Sequence, residues 1–127
     1  MKEYIHGGDI YRHPDVLDFS ANINPLGTPP AVVQAAKDSM EWICHYPDAC
    51  EEKLKQALAA YEQVPVEWLI CGNGAAELIF ALVQAVKPKR ALVMAPTFAE
   101  YAQALEAVGC EVDREILKKE DGFTLQR

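Results

Sequence analysis

The amino-acid sequence predicts an α/β fold built on a parallel sheet, and three observations carry that prediction. From residue 66 onward the pattern alternates strand, helix, strand, helix, strand, which is the order that gives parallel pairing through helical crossovers. Trp68-Leu69-Ile70-Cys71 reads as a short buried strand and Ala91-Leu92-Val93-Met94-Ala95 as a second, apolar on both faces as central parallel strands are. Between them, Cys71-Gly72-Asn73-Gly74-Ala75-Ala76-Glu77 is a glycine turn leading from a strand into an amphipathic helix.

The elements follow in chain order. Residues 1–28 read as an extended arm with little periodicity, and 29–65 as a helical segment. Thr28 is placed to cap the first helix, with Pro29 at its first position. Val32, Ala36 and Met40 then recur every four residues, with Ile43 a turn further on. In the second helix Asp48 is the expected cap, with Glu51 at capping-box spacing and an apolar stripe of Leu54, Leu58 and Tyr61. Residues 66–127 read as the start of an α/β domain that is incomplete. Its first helix runs from about Ala75 with Leu78, Ile79, Leu82, Val83 and Val86 inside. Thr97 and Glu100 make a further capping box, and the helix behind them carries Tyr101, Leu105 and Val108 and stops at Gly109. Cys110 to Leu117 reads as a third strand and Asp121-Gly122 as a turn. Three strands leave an apolar sheet edge open, so the chain is expected to be the first part of something larger.

Composition narrows the function classes. The 127 residues are half hydrophobic and 24% charged, with a net charge of -7, which is globular and argues against nucleic acid or an anionic membrane as a partner. No leader-like apolar stretch opens the sequence, and no apolar run approaches the roughly 20 residues of a membrane span. Cys44, Cys50, Cys71 and Cys110 form no CxxC pair, and reduced thiols of a cytoplasmic protein are the expectation. Cys44-His45-Tyr46-Pro47-Asp48-Ala49-Cys50 lacks the spacing of a zinc finger or ribbon, so no metal ligand is assigned.

Several segments could carry chemistry. Glycines at 72 and 74 allow positive φ and close approach of backbone, and the first amides of the helix that follows point into the turn. With the helix dipole, that is a geometry for holding a phosphate, although the same turn also simply joins strand to helix. Phe98, just after the second strand, offers a ring for stacking on a planar cofactor or for the core. Asn22 and Asn24 flank Ile23 in a turn-rich stretch, where two carboxamides grip an anion or merely make a turn. His6, in His6-Gly7-Gly8-Asp9, is a solvated terminus or a phosphate donor. No GxSxG, HExxH, GxxxxGK[ST] or GxGxxG occurs, and no carboxylates form a convincing acid/base pair.

In this order the motifs resemble the fold-type I pyridoxal-phosphate enzymes of the aminotransferase class. Within them they resemble most the threonine-phosphate decarboxylases of cobalamin biosynthesis. The resemblance lies in His6–Asp9, Asp18-Phe19-Ser20-Ala21-Asn22-Ile23-Asn24-Pro25-Leu26-Gly27, Tyr46–Asp48, Gly72–Glu77 and Pro96–Tyr101. Histidinol-phosphate aminotransferases share the NPLG, YPD and GxGA-type segments and usually lack the HGG start. The resemblance implies the N-terminal part of that fold: arm, small-domain helices and the first strands of the large-domain sheet. It implies pyridoxal 5'-phosphate as cofactor, a phosphorylated amino acid as substrate and a homodimer.

Roles follow at the matching positions. Gly74 with the amides of Ala75 and Ala76 would hold the cofactor phosphate, and Phe98 would stack on the pyridine ring. Tyr46 would reach the cofactor phosphate of the partner subunit, and His6, Asn22 and Asn24 would line the substrate side. The resemblance places the cofactor-binding lysine, the aspartate at the pyridine nitrogen and the arginine for the substrate carboxylate beyond residue 127. Lys87, Lys89, Lys118, Lys119 and Arg127 match none of them, so no catalytic residue is assigned and residues 1–127 alone are expected to be inactive. The alternatives are an aminotransferase of the histidinol-phosphate type and a truncated, non-catalytic phosphate-binding or dimerisation module. Leu92, Met94 and Ile116 are expected to be poorly covered, which favours a dimer or larger species.

Overall fold

The computed structural model describes residues 7–125, so His6 lies outside the described residues. Contacts divide the chain into two compact units that meet at Val66 and Glu67, and each is described by itself.

In the unit ending at Val66, residues 7–28 form neither helix nor strand. Helix α1 spans Pro30–Asp38, and its N-cap is Pro29, not Thr28. The reason is the Pro29-Pro30 pair. A residue before proline is driven to extended backbone, so Pro29 (φ -54°, ψ 137°) stays outside and Pro30 takes the first helical position. The Pro29 carbonyl accepts from the Val32 and Val33 amides. The expected stripe is cut short, because α1 gives way to a 3-10 turn at Ser39–Trp42 that holds Met40 and leaves Ile43 beyond it.

Helix α2 spans Glu52–Glu62. Asp48 does cap its start, but at a distance: Oδ1 accepts from Cys50 N–H at 2.9 Å and Oδ2 from Glu52 N–H at 3.0 Å. The capping box does not form, since Glu51 takes a left-handed φ of 54° and its carboxylate turns to Lys55 at 3.6 Å. Ala59 is the buried residue of α2 and Leu58 is half-buried, while Leu54 and Tyr61 of the expected stripe are exposed.

In the unit from Glu67, helix α3 spans Ala75–Val86, strand β1 Arg90–Ala95, helix α4 Ala99–Ala107 and strand β2 Glu111–Ile116. β1 and β2 pair in parallel, with Arg90 opposite Glu111 and Ala95 opposite Ile116. Arg90 reaches diagonally across the pair to Asp113 Oδ2 through Nε at 2.7 Å, and Arg114 ties β2 to Glu106 of α4 at 2.9 Å. Helix α4 packs on α3 and on both strands. The core sits there, in Ala104, Leu105 and Cys110, with Glu100 buried beside them.

Further expectations are corrected. Residues 69–71 form no strand: a 3-10 turn at Val66–Trp68 is followed by backbone that pairs with no strand among the described residues, and a strand exists only through a ladder. Helix α4 is capped by the extended backbone of Phe98 and lacks a side-chain cap, so Thr97 and Glu100 make no capping box. On α3, Leu78, Ile79 and Val83 are half-buried as expected, but Leu82 and Val86 are exposed. Strand β1 alternates, with Ala91, Val93 and Ala95 half-buried and Leu92 63% exposed. Gly109 (φ 74°) follows the last residues of α4, and Gly122 (φ 61°) closes the turn after Asp121, both where expected.

Candidate phosphate-binding site

The glycine turn is tight. Gly74 N–H donates to the Gly72 carbonyl at 2.8 Å, and Gly74 takes φ 83°, ψ 169°, a conformation that a side chain would strain. Helix α3 starts at the next residue and has no side-chain cap. Ala75 and Ala76 are its first two residues, whose amides lack intrahelical acceptors, and the dipole places partial positive charge there. Gly72 has its own reason to be glycine: a Cβ would stand 2.9 Å from Leu78 Cδ2 and 3.0 Å from Glu77 Oε2.

Sequence reasoning missed the part Glu77 plays. Its Oε2 accepts both the backbone N–H of Asn73 and, at 3.2 Å, the Asn73 carboxamide. The carboxylate thereby braces the turn from the first turn of α3. The signal was the spacing of four residues between Asn73 and Glu77, which sets a helical carboxylate opposite the turn. A phosphate group fits this arrangement. The Ala75 and Ala76 amides at the helix N-terminus are neutral donors, nothing stands within 4 Å of the position a Gly74 side chain would take, and the Glu77 carboxylate beside the turn is engaged by Asn73.

Phe98 stands where β1 ends, after the cis Ala95–Pro96 peptide. Its ring is 41% exposed and meets Tyr101 in a T-shaped pair, centroids 5.9 Å apart at 81°. It lines a cleft of about 310 Å³ with Pro96, Ala102 and Arg114, so a face for stacking is accessible. Gly74, Ala75 and Ala76 are not among the residues that line that cleft.

The other candidates lie in the unit ending at Val66. Asn24 Oδ1 accepts from Leu26 N–H at 3.0 Å and the Asn24 carbonyl from Gly27 N–H at 3.0 Å, so its carboxamide oxygen builds the turn. Its Nδ2 hydrogens remain as donors, and Asn22 stands two residues earlier, between Ala21 and Ile23, whose amide donates to the Ala21 carbonyl at 3.0 Å. Tyr46 is 92% exposed just before Pro47 and the Asp48 cap. Backbone N–H groups of Cys50 and then Glu52 hold the Asp48 carboxyl below its usual value, and the hydroxyl and then the amide of Ser20 do the same for Asp18. Among the described residues no group of three or more His, Cys, Asp or Glu is placed to hold a metal ion, and no helix is long and apolar enough to cross a membrane. The four cysteines are free thiols, with Cys110 buried, Cys71 half-buried and Cys44 and Cys50 exposed.

Comparison with known proteins adds to this geometry. The family model for aminotransferase class I and II matches residues 14–127. The chain is 47% identical, over 94% of its length and 35% of the relative's, to threonine-phosphate decarboxylase of Salmonella typhimurium. A putative threonine-phosphate decarboxylase of Caldanaerobacter subterraneus is 43% identical over 97% of this chain and 33% of that relative. Histidinol-phosphate aminotransferase of Symbiobacterium thermophilum is 33% identical over 88% of this chain and 33% of that relative. The crystal structure of the histidinol-phosphate aminotransferase from Clostridium acetobutylicum superposes with a TM-score of 0.68 at 27% identity, covering 82% of this chain and 31% of that one. The fold is that of the fold-type I transferases, enzymes that in general depend on pyridoxal phosphate and are dimeric. The chain spans about a third of the length of the curated relatives it matches.

Proposed function

Because the chain belongs to the aminotransferase class I and II family, we propose that it is the N-terminal portion of a pyridoxal-phosphate-dependent threonine-phosphate decarboxylase of cobalamin biosynthesis. The observation that carries this reading is the identity of 47% to a decarboxylase over 94% of the chain, against 33% to 41% to histidinol-phosphate aminotransferases over 88% to 75% of it. The geometry of the glycine turn supports it.

In this reading the Ala75 and Ala76 amides and Gly74 bind the cofactor phosphate through backbone, with the α3 dipole behind them. Glu77 keeps the turn in shape from the side. Phe98 would stack on the pyridine ring, and Tyr46 would extend to the cofactor phosphate of a partner subunit in a cytoplasmic homodimer. His6, Asn22 and Asn24 orient the phosphate or carboxylate of the substrate. The cofactor, when bound, supplies an electron sink into which the bonding pair of the departing carboxylate is delocalised. The covalent lysine, the pyridine-nitrogen aspartate and the carboxylate-binding arginine belong to segments other than residues 1–127, so this stretch binds and orients and does not catalyse by itself.

One observation favours a second reading. The superposed solved structure is a histidinol-phosphate aminotransferase, and such an enzyme would use the same turn and ring. The test is to feed O-phospho-L-threonine to the full-length protein with cofactor and follow carbon dioxide and aminopropanol phosphate. Release of both supports the decarboxylase. Transfer of the amino group to a keto acid without carbon dioxide moves the assignment to the aminotransferase.

A further inference from the structure

The two glycine- and asparagine-bearing segments near the start of the chain are bonded to each other. Gly8 N–H donates to Ser20 Oγ at 2.8 Å across twelve residues. The Ser20 hydroxyl donates onward to Asp18 Oδ1 at 2.6 Å, and the same oxygen accepts Ser20 N–H at 2.7 Å. The approach is close enough that a Cβ on Gly7 would collide with the Ser20 carbonyl oxygen, and Gly8 takes φ 82°. Gly7 and Gly8 are therefore glycines because the arm lies directly on Ser20.

The charges are arranged with equal economy. Asp18 is engaged by Ser20, and Asp9 by the Arg12 amide at 3.3 Å and its guanidinium at 3.5 Å. These two of the arm's carboxylates thus face internal donors. Asn24 turns its carboxamide oxygen to Leu26 and keeps its N–H groups for other acceptors. An arm built so would offer hydrogen-bond donors to an anion, with Asp9 and Asp18 engaged elsewhere.

We propose that Asp18 and Ser20 are positioning residues: they hold Gly7 and Gly8 on Ser20, and so set the arm that orients a phosphate-bearing amino acid. The inference rests on the reading above, in which His6, Asn22 and Asn24 face that substrate. Asp18 and Ser20 do not touch the reacting atoms.

The test compares wild type, Ser20→Ala, Asp18→Ala, the double variant and Asp18→Asn in the cofactor-loaded full-length protein, with O-phospho-L-threonine as substrate. Ser20→Ala and Asp18→Ala each raise KM about tenfold, the worth of one hydrogen bond, with kcat within about twofold. The double variant is no worse than either single one, because the bonds run in series. Asp18→Asn retains an acceptor oxygen and stays near wild type. Independently of activity, amide exchange at Gly8 quickens in the two alanine variants and not in Asp18→Asn. Unchanged KM in the alanine variants of an active enzyme overturns the proposal and leaves the functional reading standing. A wild-type protein that loads cofactor but acts on neither O-phospho-L-threonine nor histidinol phosphate removes that reading and this proposal with it.

Discussion

Single residues decide the shape of the glycine turn at residues 72–74. Gly74 carries φ 83° with open space around it, so Gly74→Ala is strained through backbone alone, by about 1–3 kcal/mol. The expected outcome is weaker cofactor binding with the rest of the fold intact, read by cofactor titration against urea unfolding. Glu77 supports the turn through two bonds to Asn73, and it also sets a negative charge at the helix start. Glu77→Ala should loosen the turn and weaken cofactor binding, whereas Glu77→Gln keeps an acceptor oxygen and should bind at least as well as wild type. Asp18 and Asp48 both have carboxyl groups held below the ordinary 3.8. A depressed carboxyl contributes fully above its unfolded value and loses that contribution as pH falls through its folded one. Amide protection at Gly8, Cys50 and Glu52 should therefore persist at neutral pH and fade only in acid, below about pH 4. The turn itself was legible in the sequence, because Gly-Asn-Gly before an apolar helix has few uses. The brace from Glu77 and the Asp18–Ser20 chain were not, because a carboxylate on an exposed helix face or in a turn looks the same whether it bonds water or backbone.

At the scale of elements, periodicity located four helices and the two paired strands, and local chemistry moved their ends. Pro29-Pro30 displaces the cap of α1 by one residue, and the left-handed Glu51 displaces the start of α2. Capping-box spacing at Asp48–Glu51 and Thr97–Glu100 was misleading for different reasons. Asp48 caps by bonding Cys50 and Glu52 without help from Glu51, while Glu100 is drawn into the core. Residues 69–71 have the composition of a strand, but a strand also needs a neighbour, which local pattern does not supply. The interior of the second unit is small and centred on α4. Leu105→Ala should therefore cost about 2–3 kcal/mol, the lower part of the range for buried leucines, as measured by denaturant unfolding.

The whole molecule presents an unusual amount of apolar surface. Leu92 is 63% and Ile116 62% exposed on the two paired strands, and Leu82 and Val86 add to this on α3. Surfaces of this kind associate, so residues 1–127 in isolation should sediment as a dimer or larger species, and a clean monomer would speak against that. The proposed function divides the labour: this stretch would hold the cofactor by its phosphate and ring, and a lysine outside residues 1–127 would make the covalent bond. Borohydride reduction of the cofactor-loaded full-length protein, followed by peptide mapping, tests that directly. One stable adduct, on a lysine outside residues 1–127, is the expected result. An adduct at Lys87, Lys89, Lys118 or any other lysine of this stretch would contradict it.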